Sequence, residues 1–505
     1  MGAISSSSSF TLDNTNQTTN DQIEIPDNKK DYIKRRRISI INEYLLSTST
    51  HGLKSLGLAY NPFHFLFWFL TFLFACGLML YFIVLCIIEY YHYPTQTIIE
   101  IRSETEINFP AITFCNSNPF RYDKINESYN NYLLNTNCSY TNNTVYCMKQ
   151  FINDLFNSNN QTQIINYGYD INDLLVDCNY NILDCSNKSK YFPFISPSYG
   201  NCFTFNAQIL SNNSENKLLL AATTTSTGNN NTELTDSSMI YFYGGGTNCL
   251  FMSFYINEDL YYPNLYTSKG LTAIIHNNNE IPLIDSKAFY FAPGYTHNLV
   301  WSKSISTYLQ PPYTSCTNRI GDDMKALYDT YNGVQYSYSQ TVCYELCKQT
   351  YIYMNCQCVS SLILTIQKLF INNQLIQVNM CSIYPTLTQM ICAYSAINNF
   401  TNDLTAQSNL CGHCQQECEI TTYTSQITSS QDSLADDGLK ALIEQTIMKY
   451  RELPENWTNN WQTYIDNSYL QLQICPQSEF VHHYKQEPSL SWTDVISSVG
   501  GQTAL

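Results

Sequence analysis

The chain has 505 residues, a formal net charge of −16 and a charged fraction of only 13%. That length accommodates several domains or one large elaborated one. The acidic balance excludes a nucleic-acid partner recognised through a basic face, and the apolar residues are gathered into one long run rather than spread along the chain.

Residues 1–30 are rich in Ser, Thr and Asn and too poor in apolar residues to form a core, which predicts disorder. Residues 38–58 are better patterned and carry His51-Gly52 just ahead of the apolar run. From Phe63 to Ile88 there is no Asp, Glu, Lys or Arg and a single His. As a helix this run covers roughly 39 Å, enough to cross a ~30 Å hydrocarbon core with some tilt, and it is too long and too pure for a buried core helix. Lys29, Lys30, Lys34, Arg35, Arg36, Arg37 and Lys54 precede it, whereas Arg102 is the first Lys or Arg after it. The positive-inside rule then puts residues 1–60 in the cytosol, a transmembrane helix at 61–90 and residues 91–493 outside the cell. The run starts too far into the chain for a cleaved signal peptide, so it reads as an anchor.

About twenty residues further on comes Phe109-Pro110-Ala111-Ile112-Thr113-Phe114-Cys115-Asn116, an apolar β-like run that reads as a strand rising from the bilayer into an oxidised ectodomain. Nine Asn-x-Ser/Thr sequons follow the membrane run, at Asn126, Asn137, Asn142, Asn160, Asn187, Asn212, Asn230, Asn399 and Asn456. Eighteen of the 20 cysteines also lie beyond it, an even number suited to disulfides, while Cys76 and Cys86 sit inside it as small apolar residues. Short Tyr-, Phe- and Ile-rich runs alternate with Asn/Ser turns, the texture of many short strands. Two parts read as helical: Thr341 to Tyr353, where Cys343 and Cys347 share a face, and Ser433 to Arg451, which Pro454 stops. Residues 211–238 are low-complexity and read as a surface loop. The chain closes on Ser497-Ser498-Val499-Gly500-Gly501-Gln502, where residues 494–505 read as the start of a second transmembrane helix that Leu505 cuts short.

The cysteines are densest in Cys343-x3-Cys347, Cys356-x-Cys358, Cys381, Cys392 and Cys411-x2-Cys414-x3-Cys418. In a cytosolic protein these would read as zinc ligands, but among sequons they read as disulfides that staple helices to loops. Cys411-Gly412-His413-Cys414 has the redox Cys-x-x-Cys spacing without the strand before it or the helix after it that such chemistry needs. His482-His483 lies in a strand-like run that points the two rings to opposite faces, a poor metal site. Asp322-Asp323 lacks a phosphate-binding βα pattern nearby and reads as a solvated loop. Gly-x-Ser-x-Gly, P-loop and His-Glu-x-x-His patterns are absent, so no enzyme, cofactor or metal is expected.

The order of these blocks resembles the degenerin/epithelial sodium channel/acid-sensing channel family over nearly the whole chain. His51-Gly52 is similar to that family's cytosolic gating motif, and FPAITFCN to the block after its first helix. Gly200-Asn201-Cys202-Phe203-Thr204-Phe205-Asn206 is similar to its Gly-x-Cys-Tyr/Phe-Thr-Phe-Asn. Ala292-Pro293-Gly294 and Leu309-Gln310-Pro311-Pro312-Tyr313 resemble a palm strand and the turn into the thumb, and Gly500-Gly501-Gln502 the start of the pore helix. The resemblance implies an α+β membrane protein whose disulfide-rich ectodomain has a β-sheet palm and a helical thumb at about 316–451. It implies the pairs Cys115–Cys202, Cys178–Cys185, Cys316–Cys418, Cys343–Cys414, Cys347–Cys411, Cys356–Cys392 and Cys358–Cys381. Cys138 and Cys147 are close enough for a local bridge, and Cys249 and Cys475 fall on palm strands, but the resemblance assigns neither a partner.

By the same resemblance the chain is a subunit of a trimeric, sodium-preferring, amiloride-sensitive cation channel in the plasma membrane. Its partners would be related subunits in a homo- or heterotrimer, sodium ions, the lipid bilayer and an extracellular peptide or proton ligand. The implied gating residues are His51, Gly52, Tyr93, Tyr313 and Ser497, and the implied pore residues Ser498, Gly500 and Gly501. Tyr93 and Tyr313 fill the places of the family's aromatic contact above the first helix. Pro94-Thr95 stands where acid-sensing members carry a histidine pair, Ser498 stands where an acidic residue often lines the pore mouth, and the Gly/Ser-x-Ser filter lies outside the sequence. The rival reading is a single-span type II glycoprotein acting as receptor or adhesion module, or a subunit unable to conduct. With a cytosolic N-terminus, Asn16 of Asn-Gln-Thr stays unmodified in cell-expressed protein while several later sequons carry glycans. Glycopeptide mass spectrometry reads this directly, and a glycan on Asn16 would invert the orientation.

Overall fold

The structure, a computed structural model, describes residues 40–48, 53–104, 106–136, 138, 144–158, 160–180, 183–208, 241–243, 249–262, 268–331, 334–371, 374–383, 387–431, 435–450 and 453–503. The chain divides into a helical unit, Met1–Pro94 with Leu490–Leu505, and a large unit, Thr95–Ser489.

In the helical unit, Pro62–Tyr91 forms one uninterrupted 30-residue helix. Pro62 stands at its start, where a missing N–H costs nothing, and no Pro or charge other than Glu89 follows. Its mean hydropathy reaches 2.6 and none of its side chains is buried within the chain, so its apolar surface faces all round. That is the pattern of a helix solvated by lipid. Trp492–Thr503 forms a second helix beside it, with Trp492 edge-on to Tyr90 at a ring separation of 5.6 Å.

The large unit is built on two sheets. In the eight-stranded sheet, Thr95–Ser103 forms one edge, followed by Phe480–Pro488, Thr296–Thr307, Tyr469–Pro476, Leu250–Tyr255, Leu175–Tyr180 and Leu183–Asp184. Glu419–Ser430 also pairs with Thr296–Thr307, antiparallel over all twelve residues. The same strand runs parallel to Tyr469–Pro476 through Trp301 and then to Phe480–Pro488 from Ser304. Gln477 N–H, in the connection between those two, donates to Trp301 O at 2.7 Å.

The five-stranded sheet has the order Phe289–Phe291, Leu271–His276, Ala111–Asn116, Gly200–Phe205 and Tyr191–Ser196. Its central strand, Ala111–Asn116, is buried at every residue, which is why FPAITFC reads as a continuous apolar run rather than an alternating one. This corrects the expectation of a strand rising straight from the bilayer: Thr95–Ser103 follows the membrane helix, and Ala111–Asn116 is the middle of the second sheet. Phe109, Phe114, Phe254, Trp301 and Leu470 belong to one core shared by the two sheets.

Helices are more numerous than the two expected. Tyr122–Thr136 is Asn-rich and a weak helix former, yet Ile125 and Tyr129, four residues apart, give it a buried face. Thr388–Asn402 and Leu404–Cys411 pack with Gln340–Cys356, the extended form of the predicted 341–353 helix. The predicted helix at 433–451 narrows to Asp437–Thr446, started by Asp436, whose carboxylate accepts from Leu439 N–H at 2.6 Å. Asp322-Asp323 is not a loop but the first turn of helix Asp322–Tyr328, where carboxylates face the positive end of the helix dipole. Residues 211–238 lie outside the described residues.

One polar row crosses the buried sheet: Thr204 Oγ1 to Thr113 Oγ1 at 2.7 Å, then Thr113 Oγ1 to His276 Nε2 at 2.8 Å. Burial pushes the His276 imidazole down to about 4, with backbone hydrogen bonds to Asn277 and Glu280 opposing only in part. Between about 6.5 and about 4 the unfolded chain therefore binds a proton that the folded chain does not, and stability falls as pH falls through that window. The contribution is fully present above the unfolded value, and its loss by pH 4 is about 3 kcal/mol. Thermal midpoints of the purified chain at pH 7.5 and 4.5 check this: His276→Asn should be less stable at pH 7.5 yet lose less on acidification.

Candidate functional site

The chain leaves the membrane helix through His92 and Tyr93. Tyr93 N–H donates to Tyr90 O at 3.1 Å, and Tyr93 sits at φ 51°, a left-handed conformation that costs a bulky residue of order 1 kcal/mol. Its ring lies 6.4 Å from that of Tyr90 and 6.5 Å from that of Tyr91, so the last turn ends in a cluster of aromatic rings.

Immediately after Pro94 the chain enters a ribbon. Thr95–Ser103 pairs antiparallel with Phe480–Pro488 in unbroken register from Thr95↔Pro488 to Ser103↔Phe480. The first residues after one helix are thus paired with the last residues before the other. Polar side-chain pairs lie along this ribbon: His483 Nε2 is within hydrogen-bond distance of Glu104 Oε1 at 2.9 Å, Lys485 Nζ forms an ion pair with Glu487 Oε1 at 2.8 Å, and Arg102 pairs with Glu100. Lys303 is held below its ordinary value by burial, against the pull of Glu104 and Glu419.

Tyr313 belongs to the large unit, in the turn that follows Pro311-Pro312, where its N–H donates to Gln310 O at 3.2 Å. Thr314 Oγ1 also donates to Leu309 O. The turn is tied to the ribbon by a residue that the sequence did not reveal. Gln486 accepts from Leu309 N–H at 3.0 Å through Oε1 and donates to Thr95 Oγ1 at 2.8 Å through Nε2. One amide therefore joins the proline turn to the first residue of the ribbon. Only the three-dimensional register brings residues 95, 309 and 486 together, so no local pattern could have found it.

The second helix carries the pore candidates. Ser497, Ser498, Gly500 and Gly501 are exposed, and Val495 is buried. A Cβ added at Gly500 or Gly501 would meet nothing within 4 Å. His51 and Gly52 lie outside the described residues.

Eighteen cysteines form nine disulfides. Cys115–Cys202 joins directly opposite residues of neighbouring strands, and Cys178–Cys185 closes a short hairpin. Cys316–Cys418, Cys343–Cys414, Cys347–Cys411, Cys356–Cys392 and Cys358–Cys381 are the rungs of a nested ladder around helix Gln340–Cys356. These seven are the pairs implied by the resemblance. Cys138–Cys147 and Cys249–Cys475, whose partners it left open, complete the set. Cys411 and Cys414 each pair with the helix rather than with one another, so the Cys-x-x-Cys run is two rungs and not a redox couple. Cys76 and Cys86 remain thiols. Of the sequons, Asn160, Asn187, Asn399 and Asn456 are exposed and Asn126 is half-buried on its helix, while Asn137, Asn142, Asn212 and Asn230 lie outside the described residues.

A helix long and apolar enough to cross a membrane, joined to a disulfide-stapled, two-sheet unit that spans residues 95–489, is the build of a membrane-anchored protein with a large folded domain. Residues 44–505 match the family described as "Amiloride-sensitive sodium channel", and the chain belongs to it. The chain is similar to "Acid-sensing ion channel 1C" of Danio rerio, 26% identical over 353 residues that make up 65% of this chain and 60% of the relative. "Acid-sensing ion channel 1" of Gallus gallus is 25% identical over 443 residues, 83% of this chain and 71% of the relative. "Epithelial sodium channel subunit gamma" of Neoceratodus forsteri is 28% identical over 199 residues, 38% of this chain and 24% of the relative. Members of this family are ion channels and not enzymes.

Within the ladder, Cys347–Cys411 closes a loop across 64 residues, and removing it lowers folding stability by about 2–4 kcal/mol because the unfolded chain regains conformational freedom. Cys347→Ser should leave Cys411 unpaired and lower surface expression. Mass spectrometry of non-reduced peptides checks the pairing: Cys347 recovered on any partner other than Cys411 would overturn it, and stoichiometric zinc would overturn the disulfide ladder as a whole.

Proposed function

We propose that this chain is a subunit of a trimeric, sodium-preferring, amiloride-sensitive cation channel of the plasma membrane, gated through its extracellular domain. The observation that carries the reading is the in-register ribbon Thr95–Ser103/Phe480–Pro488, whose strands follow one helix and precede the other in sequence, within a chain that matches the channel family over residues 44–505. Residues 1–60 are cytosolic in this reading, 91–493 extracellular, and residues 494–505 belong to a pore-lining helix.

The mechanism is mechanical. A stimulus shifts the stapled helices around Gln340–Cys356, and the turn holding Tyr313 passes that shift to the ribbon through Gln486. Tyr93 receives it at the end of the membrane helix. The exposed small residues Ser497, Ser498, Gly500 and Gly501 let equivalent helices of three subunits close against one another, and His51-Gly52 shapes the cytosolic side. A formal charge of −16 favours cations above the pore. Relatives include acid-sensing channels and "FMRFamide-activated amiloride-sensitive sodium channel" of Cornu aspersum, so a proton and a peptide are the two stimuli to test. The receptor or adhesion reading is not favoured, because the family match covers both the ectodomain and its helices.

Voltage-clamp recording of the full native reading frame, alone and with a related subunit, tests this. An amiloride-blocked sodium current under acid or peptide is expected. A bulky residue at Ser497 should hold the pore open, His51→Ala should lower open probability, and Gln486→Leu should slow or shift activation with surface expression unchanged. A properly delivered protein that conducts in no combination would overturn the reading.

A further inference from the structure

Away from the ribbon, the large unit contains a cavity of about 330 Å³ where helix Asp322–Tyr328 and the residues just after it face helix Gln161–Tyr167 and the edge strand Tyr191–Ser196. Its apolar wall is formed by Phe156, Ile164, Phe192, Ile195, Leu327 and Ile366, and among the described residues that line it none is charged. A cavity of this size and character suits a small organic molecule. The uncharged wall excludes an ion or a zwitterion, whose charge would leave water without gaining a partner.

The polar groups on the wall narrow the chemistry further. Thr330 Oγ1 donates to Ala326 O at 3.2 Å, Thr365 Oγ1 to Ile363 O at 3.4 Å and Gln367 Nε2 to Phe156 O at 3.2 Å, so these donors are spent on the backbone. Tyr331 differs. Its ring stacks on Phe194 at a centroid separation of 4.7 Å and stands where this cavity adjoins a smaller one of about 60 Å³. Its hydroxyl makes no hydrogen bond among the described residues and is not sealed from solvent. Burial, with the Asp285 carboxylate adding to it, holds the phenol above its ordinary value, so it keeps its proton and remains a donor. A recessed donor with no protein partner calls for an acceptor in the space it faces.

We propose that this cavity binds a small uncharged molecule with an aromatic or branched aliphatic body and a carbonyl oxygen, the oxygen accepting from the Tyr331 hydroxyl and the body lying against Phe156, Phe192 and Leu327. An occupant would brace helix Asp322–Tyr328 against the edge of the five-stranded sheet. The binding claim itself does not depend on the channel reading.

Photolabelling of the purified full chain in detergent with benzophenone, mapped by peptide mass spectrometry, provides the test, because this ketone inserts into nearby C–H bonds under light. Saturable labelling is expected within residues 156–167, 192–197 or 327–331. Diphenylmethane, the same skeleton without the oxygen, should compete about fivefold less well than unlabelled benzophenone, the worth of one ordinary hydrogen bond. The charged analogue 4-benzoylbenzoate should not compete. Tyr331→Phe should erase the preference for benzophenone over diphenylmethane, a readout that a purely structural role for the ring would not move. Thr330→Trp, which places an indole on the cavity wall, should abolish saturable labelling, so the proposal stays testable if Tyr331→Phe does not fold. The proposal is overturned by labelling that fails to saturate or falls only on the helix Pro62–Tyr91, and by equal competition from diphenylmethane or the carboxylate. An unchanged preference in folded Tyr331→Phe, or undiminished labelling of folded Thr330→Trp, overturns it as well.

Discussion

The ectodomain hangs on the pairing of one strand, Thr296–Thr307. One edge is taken over its full length by Glu419–Ser430, and the other by Tyr469–Pro476 and then Phe480–Pro488. Each of those partners lies more than a hundred residues away in sequence, so long excursions of the chain must return to this strand to satisfy its backbone groups. The excursion from Tyr308 to Cys418 is closed at its base: Tyr308 N–H donates to Cys418 O at 2.8 Å, and Cys316–Cys418 ties the same place covalently. The stapled helices are therefore a loop of the sheet, anchored at one end of its central strand. Trp301, in the middle of that strand and nearly inaccessible to solvent, packs edge-on to Phe109 and Tyr423 at 5.6 Å, so the backbone hub is also the centre of the aromatic core.

The ladder follows from composition. Helices such as Thr388–Asn402 and Leu404–Cys411 bury few residues and carry many Asn, Thr and Ser, which are indifferent helix formers. Packing alone gives such helices little, whereas cross-links that restrict the unfolded chain add stability without requiring a large core. Buried amides do comparable work in the sheets. Asn206 and Asn278 both donate to Phe109 O, at 2.7 and 3.0 Å, and Asn116 Nδ2 donates to Ile256 O at 2.8 Å. An Asn-rich sequence that looked merely loop-like supplies the partners that strand ends and turns would otherwise lack.

What could be read in advance was whatever a local pattern encodes. The membrane helix declares itself by length and purity, and the continuous apolar run FPAITFC by its burial on both faces. The order of the cysteine blocks carried the seven pairs through the family resemblance rather than through any physical rule, since spacing alone leaves connectivity open. The amphipathic faces of Tyr122–Thr136 and Trp457–Ser468 were hidden because Tyr and Trp mixed with Asn read equally well as strand and turn. The site suffered more than the fold. Tyr93 and Tyr313 were accessible as aromatic residues at recognisable places, but Gln486 is one of three successive polar residues at the end of its strand, and its meaning lies entirely in which distant groups it reaches.

The ribbon Thr95–Ser103/Phe480–Pro488 resists sliding. In an antiparallel pair a slip of one residue sends every side chain to the opposite face, so register resists gradual sliding. Here that register is reinforced at both ends: by Gln486 to Thr95 Oγ1 at the first residue of the ribbon, and by His483 to Glu104 with Glu104 N–H on Glu479 O at the other end. A ribbon fixed in this way can tilt or bend as a unit but cannot easily shear. In sequence its two strands continue, through Pro94 and Ser489, into the segments that carry the two helices. Tyr93, one residue before the Pro94 that precedes the ribbon, is left-handed, a conformation held by context and not by its own preference.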